Sequence, residues 1–239
     1  MNTAHTLAHL IEHYQAPKEA AEVVARTKIA LLVGISGAGK DTIKREVLKR
    51  PDFGAIVSHT TRPPRYNEGV LEREGAEYHF VSDETAHQML TAGEFIEAKF
   101  VHGTVYGTSL KSIKEAAKKG VAIADVDVQG IEEYKAISPD VVAIFIVPPD
   151  YQTWVSRLRR RYATKEEFMK EWPKRRATAI RELTRALELP YFHCVTNDEL
   201  SRAVHVVAEI AHRPDAFTRK DDEARLVARD LLLQIQLEP

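Results

Sequence analysis

The densest concentration of chemistry-bearing residues in this 239-residue chain is Gly34-Ile35-Ser36-Gly37-Ala38-Gly39-Lys40-Asp41-Thr42. Three glycines let backbone N–H groups converge on phosphate oxygens where a Cβ would obstruct. A helix opening at the end of such a turn adds the positive end of its dipole, and Lys40 then reaches the β- and γ-phosphates of a nucleoside triphosphate. One position departs from the pattern G-x-x-x-x-G-K-[S/T]. Asp41 stands where a hydroxyl ordinarily holds magnesium, and Thr42 follows it. A carboxylate about 5 Å from one phosphate charge costs roughly 3 kcal/mol at an effective dielectric near 20. Asp41 must therefore face Mg²⁺, directly or through water, or lie screened in solvent, and Thr42 is the other candidate for the metal.

Two further groups could handle anions. In Thr60-Thr61-Arg62-Pro63-Pro64-Arg65 the prolines hold the backbone extended and fix the spacing of two arginines, which can grip one phosphate as a pair of forks. Arg157, Arg159, Arg160, Arg161 and Arg175 make a basic stretch later in the chain. Asp125 and Asp127 end an apolar run, Val121–Ala124, so two carboxylates stand at the end of a buried strand.

The elements that position these groups follow from the hydrophobic pattern. Lys28–Val33 before the glycine turn is too short for a globular helix and reads as a strand buried on both faces. Thr42–Leu48 after it has helical spacing. Strands are expected at 54–59, 78–81, 94–101, 121–127, 141–147 and 192–195. Helices are expected to start at Ser82 or Asp83, at Ser109 and at Asp150, with a second basic helix near Lys174, after Pro173, and another over 200–210. Residues 67–77 read as a flexible polar excursion, and Tyr106–Ser109 as the close of a strand and the opening of a helix. Residues 1–26 read as two helices broken near Pro17, with Leu7, Leu10, Ile11 and Tyr14 on a face that packs against something. Residues 213–239 add a helix apolar at Leu226, Val227, Leu231, Leu232 and Ile235. Strands alternating with helices predict an α/β fold with a mostly parallel sheet covered on both faces.

Composition narrows the class. The 34 basic and 35 acidic residues nearly cancel, so no global field points to nucleic acid or an anionic membrane. The single cysteine, Cys194, cannot form an internal disulfide and reads as a buried thiol. No apolar run approaches membrane-spanning length, and the first residues lack a secretory leader. The expectation is a soluble cytoplasmic protein.

Taken in order, the glycine turn, Ser58-His59-Thr60-Thr61-Arg62-Pro63-Pro64-Arg65, Tyr78-His79-Phe80, Glu94-Phe95-Ile96-Glu97, Tyr106-Gly107-Thr108-Ser109, Asp125-Val126-Asp127-Val128-Gln129-Gly130, Ile146-Val147-Pro148-Pro149, the arginine-rich stretch and Thr196-Asn197-Asp198 resemble the guanylate kinase family over roughly residues 29–211. The resemblance implies a P-loop NTPase three-layer fold with a small sheet subdomain for GMP and an arginine-rich helical lid. It also implies transfer of the γ-phosphoryl of ATP to GMP or dGMP with Mg²⁺. On it the chain divides into an N-terminal helical extension, 1–27, a kinase domain, 28–212, and a C-terminal helical extension, 213–239. Within the domain, 58–108 would bind GMP and 157–176 would form the lid.

The residue chemistry agrees with that reading. Guanine offers an O6 acceptor with N1–H and N2–H₂ donors, so a reader needs one carboxylate with hydroxyls nearby. Glu97 supplies the carboxylate, and Ser58 and Thr108 the hydroxyls. By likeness, Arg62, Arg65, Tyr78 and Tyr106 clamp the GMP phosphate, with Gly107 beside them. One of Asp125 and Asp127 serves a magnesium water and the other a clamp arginine, Asp127 being favoured for the metal. Arg157 and Arg161 on one lid helix and Arg175 on the next stabilise the transferring phosphoryl with Lys40. Gly34, Ser36, Gly37, Ala38, Gly39, Lys40, Asp41 and Thr42 bind ATP, and Asn197 lines its adenine side. Partners are then small-molecule nucleotides, without nucleic acid or membrane, in a monomer or homodimer.

Besides Asp41, the loops from Arg65 to Tyr78 and from Arg161 to Arg175 are longer than the family pattern. One rival is a P-loop kinase of another phosphorylated small molecule such as a sugar phosphate, kept open by Lys40-Asp41. Another is a non-catalytic binding module, disfavoured by Lys40 and the retained arginines. A GTPase, suggested by Asp127-Val128-Gln129-Gly130, lacks an N-K-x-D guanine reader.

Overall fold

The computed structural model describes residues 3–67, 70–217 and 221–238. The elements run α1 (Thr3–Glu12), α2 (Lys18–Arg26), β1 (Ile29–Val33), α3 (Lys40–Val47), β2 (Phe53–Ala55), β3 (His59–Thr60), β4 (Tyr66–Asn67), β5 (Val70–Leu71) and β6 (His79–Phe80). They continue with α4 (Asp83–Thr91), β7 (Phe95–Val101), β8 (Thr104–Ser109), α5 (Leu110–Ala117), β9 (Val121–Asp125), α6 (Val128–Ile137) and β10 (Val142–Val147). Then come α7 (Tyr151–Arg159), α8 (Lys165–Glu188), β11 (Phe192–Thr196), α9 (Leu200–His212) and α10 (Asp221–Leu237). The larger sheet has the order β11-β10-β1-β9-β2, and β10 runs parallel to both of its neighbours. Every residue of β1 and β10 is buried, as expected of parallel strands covered on both faces.

The chain forms two units, one of residues 1–28, 52–122 and 136–139, the other of 29–51, 123–135 and 140–239. In the first, a four-stranded sheet of order β6-β3-β8-β7 carries α4 and α5. Ser82 and Ser109 cap these helices, accepting from the N–H groups of Thr85 and Ser112. The apolar face of α1 finds its partner here. Leu7 is buried with Ala86, Met89, Leu90, Phe95 and Val105, and the Tyr14 hydroxyl donates to the carbonyl of Phe95 at 2.6 Å.

The structure redraws this unit at three places. The strand expected at 54–59 splits into β2 and β3, which belong to different sheets, because the chain leaves one ladder before joining the next. Tyr106–Ser109 closes a strand and opens α5 as expected, but that strand is a separate one, β8, paired antiparallel with β7. The polar excursion folds back as the β4–β5 hairpin, whose 68–69 connection lies outside the described residues.

In the second unit, α8 starts at Lys165 rather than near Lys174 and runs through Pro173. Proline in a helix interior costs about 3 kcal/mol. Burial of Phe168 and Trp172 before it, and of Ala179, Leu183 and Ala186 after it, offsets that cost. Helix α10 buries Ala224, Ala228, Leu231 and Ile235, while Leu226, one of its apolar residues, is 56% exposed. Its last turn is capped by Arg176 of α8, which donates to the carbonyls of Ile235 and Gln236.

Candidate active site

The donor side lies wholly in the second unit. Strand β1 delivers the chain into the glycine turn, and α3 starts at Lys40 with Gly39 as its N-cap at φ +90°. No side chain caps that end, so its N–H groups face the turn as an anion seat. The turn is held from outside. The Trp154 indole N–H donates to the carbonyl of Ser36 at 2.8 Å, and the buried Asn197 amide donates to that of Ala38 at 2.8 Å. A Cβ on Gly39 would lie 2.3 Å from the Asn197 amide nitrogen, and one on Gly34 would lie 2.6 Å from the carbonyl oxygen of Ile146. Only glycine fits either place.

Charges converge on the same turn. Arg161 donates to the Ser36 hydroxyl at 3.2 Å and stands 3.7 Å from the exposed Asp41 carboxylate, which is 3.8 Å from Lys40. Arg161 lies in the turn past α7, not on that helix, because α7 ends at Arg159 with Arg160 as its C-cap. Arg175 of α8 is aimed by a bond from its Nε to the Tyr162 hydroxyl at 2.8 Å. Arg157 is half-buried, with one terminal nitrogen lacking a partner among the described residues.

Asp125 at the end of β9 pairs with Lys44. Burial alone would raise its pKa, but Lys44 above all, with Lys40 behind it, holds the carboxyl below the usual carboxylate range. Asp127 lies beyond the strand, and its Oδ1 accepts from the N–H of Gly130 at 2.6 Å at the start of α6. Glu182 of α8, which the sequence did not single out, has its pKa pushed up to about 7. Burial raises it and the charge of Asp127 adds, against the pull of Lys40 and Arg181. Asp41 and Asp127 are exposed and Thr42 is half-buried, and all three offer oxygen, the ligand type that a hard divalent ion such as Mg²⁺ takes.

The acceptor side lies wholly in the first unit. Glu97 of β7 is the cross-strand partner of Thr108 of β8, just past a register shift between Phe95 and Glu97. Directly opposed residues project from the same face of a sheet. The Ser58 hydroxyl lies 3.1 Å from that of the buried Thr108, which brings the carboxylate and two hydroxyls together. Gly107 allows the close approach, since a Cβ there would lie 2.8 Å from the Phe95 ring and 2.9 Å from the Glu97 carbonyl.

Beside them the Tyr78 and Tyr106 rings meet edge to face at 6.0 Å, and the Arg62 guanidinium lies 5.3 Å from the Tyr78 ring centre. Arg62 is buried and donates to Glu72 through both terminal nitrogens, at 2.7 and 3.1 Å. Arg65 is exposed. Within its own unit Arg62 has Glu72 as its carboxylate partner, while Asp125 is paired with Lys44. Glu72 was missed because a stretch with acids at 68, 72, 74 and 77 gives no pattern that singles out one of them. Trp154 was missed because its role is one bond to a distant carbonyl.

A nucleotide-gripping glycine turn on a parallel α/β sheet, together with a second sheet carrying an anion clamp, defines the P-loop kinases of small phosphorylated acceptors. The guanylate kinase family model matches residues 26–213. The guanylate kinase of Myxococcus xanthus is 38% identical over 192 residues, 77% of this chain and 88% of that protein. That of Sus scrofa is 34% identical over 183 residues, covering 75% and 89%. The crystal structure of guanylate kinase from Anaplasma phagocytophilum superposes with a TM-score of 0.57 at 24% identity, over 83% of this chain and 95% of that one, which speaks to the fold. The chain belongs to the guanylate kinase family.

Proposed function

We propose that this protein transfers the γ-phosphoryl group of ATP to GMP or dGMP, giving ADP and GDP. The observation that carries this reading is the meeting of Glu97, Thr108 and Ser58 on one sheet. The Glu97 carboxylate accepts from guanine N1–H and N2–H₂, and the Thr108 and Ser58 hydroxyls serve O6. Adenine offers N6–H₂ where guanine has O6 and no N1–H for a carboxylate, so the site rejects it by leaving buried groups unpaired. Sites that hydrogen-bond a substrate discriminate by about 10⁴–10⁵, where apolar pockets reach only about 10–200-fold.

The acceptor phosphate is taken by Arg62, Arg65, Tyr78 and Tyr106. On the donor side, the glycine turn and Lys40 hold the β- and γ-phosphates, and Asn197, by bracing the turn at Ala38, sets the edge of the adenine side. Thr42, Asp127 and Asp41 would hold Mg²⁺, whose charge would offset that of the phosphates. Asp125 keeps Lys44 anchored beside the turn. Arg157, Arg161 and Arg175 stabilise the charge that spreads over the phosphoryl oxygens in flight. No general base is needed, because the acceptor phosphate oxygen is already a nucleophile, and positioning with charge neutralisation supplies the rate. No helix among the described residues is long and apolar enough to cross a membrane, and we place the enzyme in the cytoplasm with the free nucleotides.

A coupled ADP-release assay across GMP, dGMP, AMP, UMP and ribose phosphates tests the reading. GMP and dGMP should be turned over at least 10³-fold more efficiently than AMP. Preference for a ribose phosphate would transfer the assignment to the sugar-phosphate alternative that Lys40-Asp41 leaves open.

A further inference from the structure

Glu72 has no part in the chemistry above, yet its side chain is only 7% exposed, as is that of Arg62. Its two oxygens accept from Nη1 and Nη2 of Arg62, the end of the guanidinium fork. The same Oε2 accepts from the backbone N–H of Arg65 at 2.8 Å, and the Glu72 N–H donates to the Arg65 carbonyl at 2.9 Å. Glu72 is therefore anchored to the main chain at Arg65 independently of its bond to Arg62. Nη1 of Arg62 also donates to the carbonyl of Pro63 at 2.8 Å.

These bonds occupy one edge of a planar group that has two. The other edge carries Nε–H, and Nε is buried without a hydrogen-bond partner among the described residues. Arg62 as a whole is 6% exposed. A buried donor left unpaired is costly and rare in native proteins, and a guanidinium edge matches a phosphate in geometry and charge. The orphaned edge points to a ligand that the end of the fork cannot take.

We propose that Glu72 is a positioning residue for the acceptor. It locks the end of the Arg62 fork so that the Nε edge meets the phosphate monoester of the acceptor nucleotide. The inference rests on the reading of this sheet as the acceptor half-site. The opposite device, a carboxylate that occupies the arginine until phosphate displaces it, is disfavoured by the tie to Arg65 and by the vacant second edge. It also makes the contrary forecast, because removing a competitor tightens binding.

The test is steady-state kinetics of Glu72→Ala and Glu72→Gln, with GMP varied at saturating ATP and then ATP varied at saturating GMP. Glu72→Ala should raise the KM for GMP about 10- to 100-fold, the range for losing one charged hydrogen-bonding partner. Its kcat should stay within about threefold and its KM for ATP should not move. Glu72→Gln, which keeps the shape and part of the bonding, should recover much of the loss. In an Arg62→Ala background, Glu72→Ala should add nothing. A lower KM for GMP in Glu72→Ala, an unchanged one, or equal losses for both nucleotides would overturn the proposal. So would additive losses in the double variant. Failure of the parent reading is seen separately, as absence of GMP turnover in the wild-type enzyme.

Discussion

The donor half-site is held by main-chain geometry and buried anchors, whereas the acceptor half-site is held by side chains bonded to side chains. In the first, Gly34 and Gly39 admit no Cβ, and Trp154 and Asn197 grip carbonyl oxygens of the turn. In the second, Ser58 meets Thr108 and Glu72 meets Arg62. A backbone cradle recognises what all nucleoside triphosphates share, their phosphates. A side-chain network recognises what distinguishes one acceptor from another. The difference teaches where tolerance to substitution should lie: the cradle accepts few changes at its glycines, while the network retunes through single residues.

Several substitutions sharpen or break this contrast, the largest first. Lys40→Ala should lower turnover about 10²- to 10³-fold, the usual loss for one preorganised charge on a transferring group, while the thermal melt hardly moves. A near-wild-type rate would remove Lys40 from the chemistry. Glu97→Gln should cost about 10- to 100-fold in kcat/KM for GMP and leave the KM for ATP in place. Equal losses for the two nucleotides would contradict base readout by Glu97.

The two units should also respond oppositely to pH, because desolvation holds a half-buried carboxyl neutral in one and a half-buried imidazole neutral in the other. Glu182, raised from 4.5 to about 7, keeps its proton when folded over a range in which the unfolded chain has released it. Stability therefore falls as pH rises from about 4.5 to 7, and nothing is lost below that window. In metal-free buffer Glu182→Gln should stabilise the protein by about 2 kcal/mol at pH 8 and by almost nothing at pH 4. A pH-independent difference in Tm would refute this.

His59 behaves the other way. Burial lowers its pKa from 6.5 to about 4, with His79 and Lys111 adding to the effect against Glu74 and a bond to Gly107. Stability is complete above pH 6.5 and falls as pH drops toward 4, since the unfolded chain takes up a proton that the fold refuses. His59→Gln should flatten that acid limb. The smallest effect belongs to Asp41→Ser, which restores the usual hydroxyl. The Mg²⁺ concentration for half-maximal rate should shift a few-fold, and an unchanged Mg²⁺ dependence would make Asp41 a bystander.

Much of the fold was legible because its signals are local. The apolar run of β1, the glycines after it and the caps Ser82, Ser109 and Asp150 each depend on neighbours within a few residues. Pro173 misled for the same reason: a local breaker was outweighed by burial of Trp172 against Trp154, at 5.5 Å, and Phe168, at 5.4 Å. The exposure of Leu226 was not legible, because an apolar residue on a helix says nothing about which stripe finds a partner. Within the candidate site, residue types were readable but pairings were not. Arg62 was legible as an anion grip, yet its carboxylate stands ten residues away in a stretch with several acids. Trp154 and Ser36, and likewise Lys44 and Asp125, are far apart in sequence.

By itself the sequence determined the phosphate-binding turn, the strands and helices around it, and the residue types able to read guanine, because steric and periodic rules act over short spans of chain. Only the tertiary structure decided which carboxylate holds which cation and where Arg161 reaches. It also decided which face α1 and α10 bury. Charge pairing and burial are set by distances between segments that the order of residues leaves free.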